Sequence, residues 1–147
     1  MNYKPILIVA GEPYSVFLEI FFKAKKNKRF KKPIILIVSK KLLANQMKKL
    51  NYNFELNLID VKKIDFKKLN NKKINIINVD FKFKKVFDKI SDRSNVYIGK
   101  CFDTAIKLLK TNNFSGLVNG PLSKKNFLKE KFLGVTEYLA HKTNKKN

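Results

Sequence analysis

Two unbroken apolar runs, "PILIVA" at 5–10 and "PIILIV" at 33–38, stand out from a chain otherwise thick with lysine. A continuous run of this length suits a strand buried on both faces, as in a parallel sheet. Between the runs the period changes. After Gly11-Glu12-Pro13, a turn triplet, the segment from Tyr14 sets Phe17, Ile20, Phe21 and Ala24 at helical spacing on one face. After the second run, Ser39 is placed to cap a helix whose Leu43, Met47 and Leu50 share a side. Strand, helix, strand, helix is the signature of a parallel α/β sheet.

The pattern continues less sharply. Phe54, Leu56 and Leu58 alternate with Glu55 and Asn57, which predicts a third strand over 54–59. "KKIDFKKLNNKK" at 62–73 is polar, without a firm period, and reads as a loop. "KINIINV" at 73–79 is another strand candidate, and the segment on to Lys89 is ambiguous. Ser94 is a candidate cap for a longer helix with Ile98, Phe102, Ala105 and Leu109 on one side, ended by Asn112-Asn113. "FSGLVNG" at 114–120 predicts a strand running into a Gly-Pro turn, and Ser123 is a candidate cap for a short helix to about Lys131. With no internal repeat and no linker, residues 1–147 read as a single α/β domain.

Composition narrows the class. A chain of 147 residues with 44% hydrophobic and 12% aromatic content is globular, not disordered. Neither apolar run approaches the ~20 residues of a membrane-spanning helix, and Lys4-Pro5 leads into no secretory signal pattern. The lone Cys101 excludes an internal disulfide and fits a reducing compartment. The expectation is a soluble, cytoplasmic protein with no membrane partner. The net charge of +22 admits two readings. One is a small basic module that binds nucleic acid or other polyanions non-specifically. The other is compositional bias: only Arg29 and Arg93 are arginines, whereas phosphate recognition favours arginine's planar fork. The densest run, "KAKKNKRFKK" at 23–32, also suits a solvated helix end.

Ligands of open α/β sheets bind at loops beyond the carboxyl ends of the strands. Gly11-Glu12-Pro13 and Asn119-Gly120-Pro121 follow predicted strands, although glycine and proline at such places are more often simply turn residues. Glu12 either lines a cleft or caps the first helix. Neither GxGxxG nor GxxxxGK[ST] occurs. His141 is the lone histidine, read as a surface residue of a terminal helix, and Cys101 reads as a small buried apolar residue. Together they make neither a metal site nor a Ser-His-Asp arrangement. Asp80, Asp88, Asp92 and Asp103 are scattered among lysines.

Three stretches in this order resemble the N-terminal part of the 4-hydroxythreonine-4-phosphate dehydrogenase family of pyridoxal phosphate biosynthesis. "ILIVAGEPYSVFLEIFFKA" is similar to the family's opening strand, Gly-Glu-Pro turn and first helix. "FSGLVNGPLSKKNF" is similar to its strand and Gly-Pro-x-x-Lys turn, with Gly120, Pro121 and Lys124 at the matching places. "FLGVTEYLA" is similar to its Gly-His-Thr-Glu segment and the following helix. The resemblance implies a three-layer α/β/α fold with a mostly parallel sheet, of the isocitrate/isopropylmalate dehydrogenase type, incomplete because the second domain is absent. It also implies NAD- or NADP-dependent oxidation of a small phosphorylated substrate with decarboxylation. In the family this needs a divalent metal (Zn, Mg or Co) held by three histidines, in a homodimer.

Carried over residue by residue, the resemblance makes Thr136 a substrate contact. Val135 stands where the family has its substrate-binding histidine, and a valine neither carries charge nor forms hydrogen bonds. Lys124 offers a cation to the substrate's phosphate, while Gly11, Glu12, Pro13, Gly120 and Pro121 shape the adjoining loops. No catalytic residue is assigned. The metal-binding histidines belong to the part of the family sequence beyond Asn147, and none of them matches His141. The expectation is therefore a truncated family member without dehydrogenase activity on its own: a gene fragment, a degenerate paralogue, or part of an enzyme whose remainder is supplied elsewhere.

Overall fold

In a computed structural model, which describes residues 3–144, the two apolar runs become adjacent central strands. Strand β1 (Ile6–Val9) lies parallel to β2 (Ile34–Val38), with Ile6 opposite Ile34 and Val9 opposite Ile37. Strands β3 (Leu56–Leu58), β4 (Ile74–Asn78) and β5 (Gly116–Asn119) complete a sheet of order β3-β4-β2-β1-β5, parallel at every pairing. Among the described residues, four α-helices flank it: α1 (Phe17–Asn27), α2 (Lys40–Lys49), α3 (Asn95–Leu109) and α4 (Val135–Lys142).

Successive strand residues point to opposite faces, so each continuous run feeds two cores. Leu7, Val9, Ile35, Ile37 and Ile77 pack against Ile98, Phe102 and Ala105 of α3 and Tyr138 of α4. Ile8, Leu36, Val38 and Ile76 pack on the other face against Leu18 and Phe22 of α1 and Leu43 and Met47 of α2. The result is the three-layer α/β/α architecture the alternation of runs and helical periods predicts. No helix among the described residues is long and apolar enough to cross a membrane.

Several local expectations change. Helix α1 begins at Phe17, not Tyr14, and buries Leu18, Phe21 and Phe22 while Ile20 is 56% exposed. The helix is rotated so that Phe22 reaches Tyr52 and Phe54, ring centroids 5.4 and 6.2 Å away. In α3 the deeply buried residue near the end is Leu108, with Leu109 only half-buried. Ser39 does cap α2, its hydroxyl accepting from the Leu42 N–H at 3.3 Å. Ser94 precedes α3 but caps nothing. Ser123 accepts from the Asn126 N–H at 3.0 Å, yet no helix follows. Lys129 and Glu130 turn to φ values of 50° and 56°, which end helical propagation, as Leu128 drops into the core. Cys101 is buried in α3, and His141 is exposed on α4 with its ring 5.3 Å from that of Phe132.

Candidate functional site

The carboxyl ends of β1 and β5 lie side by side, because Val9 pairs with Asn119. Their continuations leave to opposite faces. β1 runs into α1 on one side, while the chain after β5 sends Leu122, Phe127, Leu128 and Tyr138 into the core on the other. Adjacent parallel strands that diverge in this way open a crevice between their loops.

Two glycines let the loops cross at backbone contact. Gly120 donates its N–H to the Val9 carbonyl at 2.8 Å, and Glu12 donates its N–H to the Pro121 carbonyl at 2.9 Å. A Cβ on Gly120 would lie 2.0 Å from the Ala10 carbonyl oxygen, and one on Gly11 would lie 2.4 Å from that of Pro121. Gly11 also has φ +79°, a region that strongly favours glycine. Pro13 is buried, and its carbonyl accepts from the Gln46 amide at 2.9 Å.

Glu12 closes the arrangement. Glu12 is 2% exposed, and α1 has no side-chain cap hydrogen bond. One carboxyl oxygen accepts from the Ser123 N–H at 3.2 Å, and the other lies 3.1 Å from the Ser94 hydroxyl. The loop after β1, the entry to α3 and the loop after β5 thus share one buried side chain. Burial raises the pKa of this carboxyl, and the hydrogen bonds from Ser123 and Ser94 partly offset that rise. The Ser94 hydroxyl carries one proton but also lies 3.0 Å from the Ser91 carbonyl. That single proton is shared between the Glu12 carboxyl and the Ser91 carbonyl, so the hydroxyl ties the carboxyl to the backbone ahead of α3.

The other predicted site residues sit further along. Pro121 and Lys124 are exposed, and the Lys124 carbonyl accepts from the Glu130 N–H at 3.3 Å. Val135 and Thr136 open α4, where Glu137 reaches back to accept from the Leu133 N–H at 2.6 Å, a fitting place for an acid at a helix N-terminus. Val135 packs against the α3-side core, and Thr136 is exposed. Among the described residues no hydrogen bond joins Thr136 to either glycine loop.

The family model of the pyridoxal phosphate biosynthetic protein PdxA matches residues 29–147. The chain belongs to this family. No sequence among the curated proteins matches it. Its fold is similar to a 4-hydroxythreonine-4-phosphate dehydrogenase from Burkholderia phymatum, at 18% identity and a TM-score of 0.80, over 99% of this chain and 45% of that one. The enzyme of the same name from Klebsiella pneumoniae is similar at 20% identity and a TM-score of 0.77, over 96% of this chain and 45% of its own. The chain thus spans somewhat under half the length of the structures it matches, and the likeness to them is one of fold.

Three contributors to this meeting of loops carry no motif signal. Ser94 and Ser123 suggest helix caps by sequence, and both turn out to bind Glu12 instead. Gln46, 1% exposed on α2, donates to the carbonyls of Pro13 and Val86 at 2.9 and 3.0 Å and so anchors two loops. A glutamine among Leu42, Leu43 and Met47 on a buried helical face is the one hint the sequence holds.

Proposed function

We propose that residues 1–147 form the first α/β domain of a 4-hydroxythreonine-4-phosphate dehydrogenase-type enzyme and supply one wall of its substrate crevice. The observation that carries this reading is the meeting of the Gly11-Glu12-Pro13 and Gly120-Pro121 loops at the divergence of β1 and β5, in a member of the PdxA family. On this wall Lys124 offers a mobile point charge to a phosphate. Thr136 offers a hydroxyl that both donates and accepts. Val135 offers only apolar surface, so its contribution is packing. The phosphorylated small molecule, the NAD or NADP and the homodimeric assembly implied for the whole enzyme belong to the same reading.

In such an enzyme a divalent ion supplies Lewis-acid polarisation of the alcohol. No group of three His, Cys, Asp or Glu side chains among the described residues is placed to hold one, so these residues do not fit that metal. By themselves the 147 residues bind on the substrate side and do not turn over. Two measurements test this. NADH formation from the phosphorylated hydroxythreonine, with a divalent ion present, is expected to be absent, and turnover by the isolated chain would overturn the inactivity. Titration of the same substrate, followed by amide NMR, is expected to shift Gly120, Lys124 and Thr136. Shifts confined to other surfaces would remove the site assignment.

A further inference from the structure

Beside the Glu12 loop lies an open groove of about 460 Å³, lined by Tyr14, Phe81, Phe83, Lys82, Lys84, Lys85, Asp88, Lys89, Ser91 and Arg93. Most of it comes from one stretch after β4, "FKFKKVFDK" at 81–89, in which rings alternate with lysines. The rings are organised. Phe81 stacks on Phe83 at 6.1 Å with 21° between planes, meets Tyr14 edge-on at 6.0 Å, and is backed by the buried Tyr97 at 4.8 Å. The Lys41 ammonium stands 5.7 Å from the Phe83 centroid. The groove is also held in place: the Gln46 amide anchors the carbonyls of Pro13 and Val86 on either side.

Electrostatically the groove is lopsided. Five cations line it against one carboxylate, Asp88. No ion pair among the described residues engages any of the five. The rival basic region, around Lys25, Lys28 and Arg29, is differently built. It has a single ring, Phe30, and Lys25 is already committed to the carbonyls of Asn71 and Lys73.

Aromatic platforms flanked by uncommitted lysines match one ligand chemistry: planar bases strung on a phosphate backbone. We propose that this groove binds single-stranded nucleic acid, with bases stacking at Phe83 and Tyr14, which Phe81 supports from behind, and phosphates meeting the surrounding lysines and Arg93. Recognition is independent of base sequence, since stacking uses the π-face every base has. A base at Phe83 brings its phosphate toward Lys41 as well.

The test measures anisotropy of a labelled oligouridine with the full 147-residue chain between about 50 and about 200 mM salt. Wild type is expected to bind with affinity that falls linearly on a log–log salt plot. Phe83→Leu keeps the charge and an apolar side chain; about tenfold weaker binding with an unchanged salt slope is expected. The double variant Lys84→Gln/Lys85→Gln should lower the slope by about 1–2. Heparin, a polyanion without bases, should bind Phe83→Leu and wild type equally. Amide NMR with the oligonucleotide locates the contact independently of any variant, with shifts expected at Tyr14 and 81–93. Equal oligouridine affinity for Phe83→Leu and wild type, or shifts centred on 23–32, would overturn the proposal and leave only general charge attraction.

Discussion

Replacing Gly120 with alanine probes whether the loop crossing depends on backbone contact. The added Cβ would sit 2.0 Å from the Ala10 oxygen, 2.8 Å from its carbonyl carbon and 2.9 Å from Phe17 Cγ. Two of these atoms are backbone in a buried loop, so rotating a side chain relieves nothing. The chains must part, and the 2.8 Å bond from Gly120 N–H to the Val9 carbonyl lengthens with them. Overpacking of this kind costs about 1–3 kcal/mol, and a weakened backbone hydrogen bond about 0.5–1.5 kcal/mol. The expected loss is about 2–4 kcal/mol, or roughly 5–15 °C in Tm for a chain of this size. Gly116 is the matched control. It opens β5, the strand that ends just before Gly120, and a Cβ there meets nothing within 4 Å. Gly116→Ala should therefore stay within about 0.5 kcal/mol of wild type. Urea denaturation followed by far-UV circular dichroism measures both. If Gly120→Ala is no less stable than Gly116→Ala, the loops do not depend on glycine for their approach, and the geometry of the crevice is misread.

Other predictions concern titration and chemistry. The Glu12 carboxyl has its pKa raised by burial, so as pH climbs past 4.5 the unfolded chain releases this proton before the folded one. The group therefore favours folding below that pH and loses its contribution as pH rises through the folded pKa. Glu12→Gln, which mimics the protonated form, should remove this limb. Subtracting its stability from wild type across a urea series at increasing pH should give a difference that shifts against wild type, and a flat difference would contradict the upward shift of this carboxyl. Cys101 is 2% exposed with its thiol pushed up to about 12 by burial. At pH 8 about one thiol in ten thousand is thiolate. Disulfide-exchange reagents should label the native chain only as fast as it opens and label it promptly in urea; rapid native labelling would contradict the burial. Substituting Val135 by histidine places an imidazole at the start of α4 but removes a core contact. A loss of about 1 kcal/mol is expected, and a gain in stability would show that this side chain does not pack as described.

Much of the fold was legible because burial on both faces leaves a strong mark. Ile6–Val9 and Ile34–Val38 had to be strands that feed two cores, and Ser39 had to start a helix. The family, too, was legible from three short stretches, since the Gly-Pro and Gly-Glu-Pro turns are local chemistry. Helix faces were less so. Phe17, Ile20, Phe21 and Ala24 share a stripe, but which stripe meets the sheet depends on where α1 enters, and Phe22 is drawn to Tyr52 and Phe54, some thirty residues away in sequence.

What the chain determined locally is therefore its strands, its turns and its charge. Partnership across the fold needed the tertiary structure. Ser94 and Ser123 look like caps because a serine before a helical period usually is one. They bind Glu12 instead because packing brings 82 and 111 residues of separation down to hydrogen-bonding distance. The same holds for Gly11 and Gly120, ordinary turn glycines in sequence, which become irreplaceable where two backbones cross with no room for a Cβ.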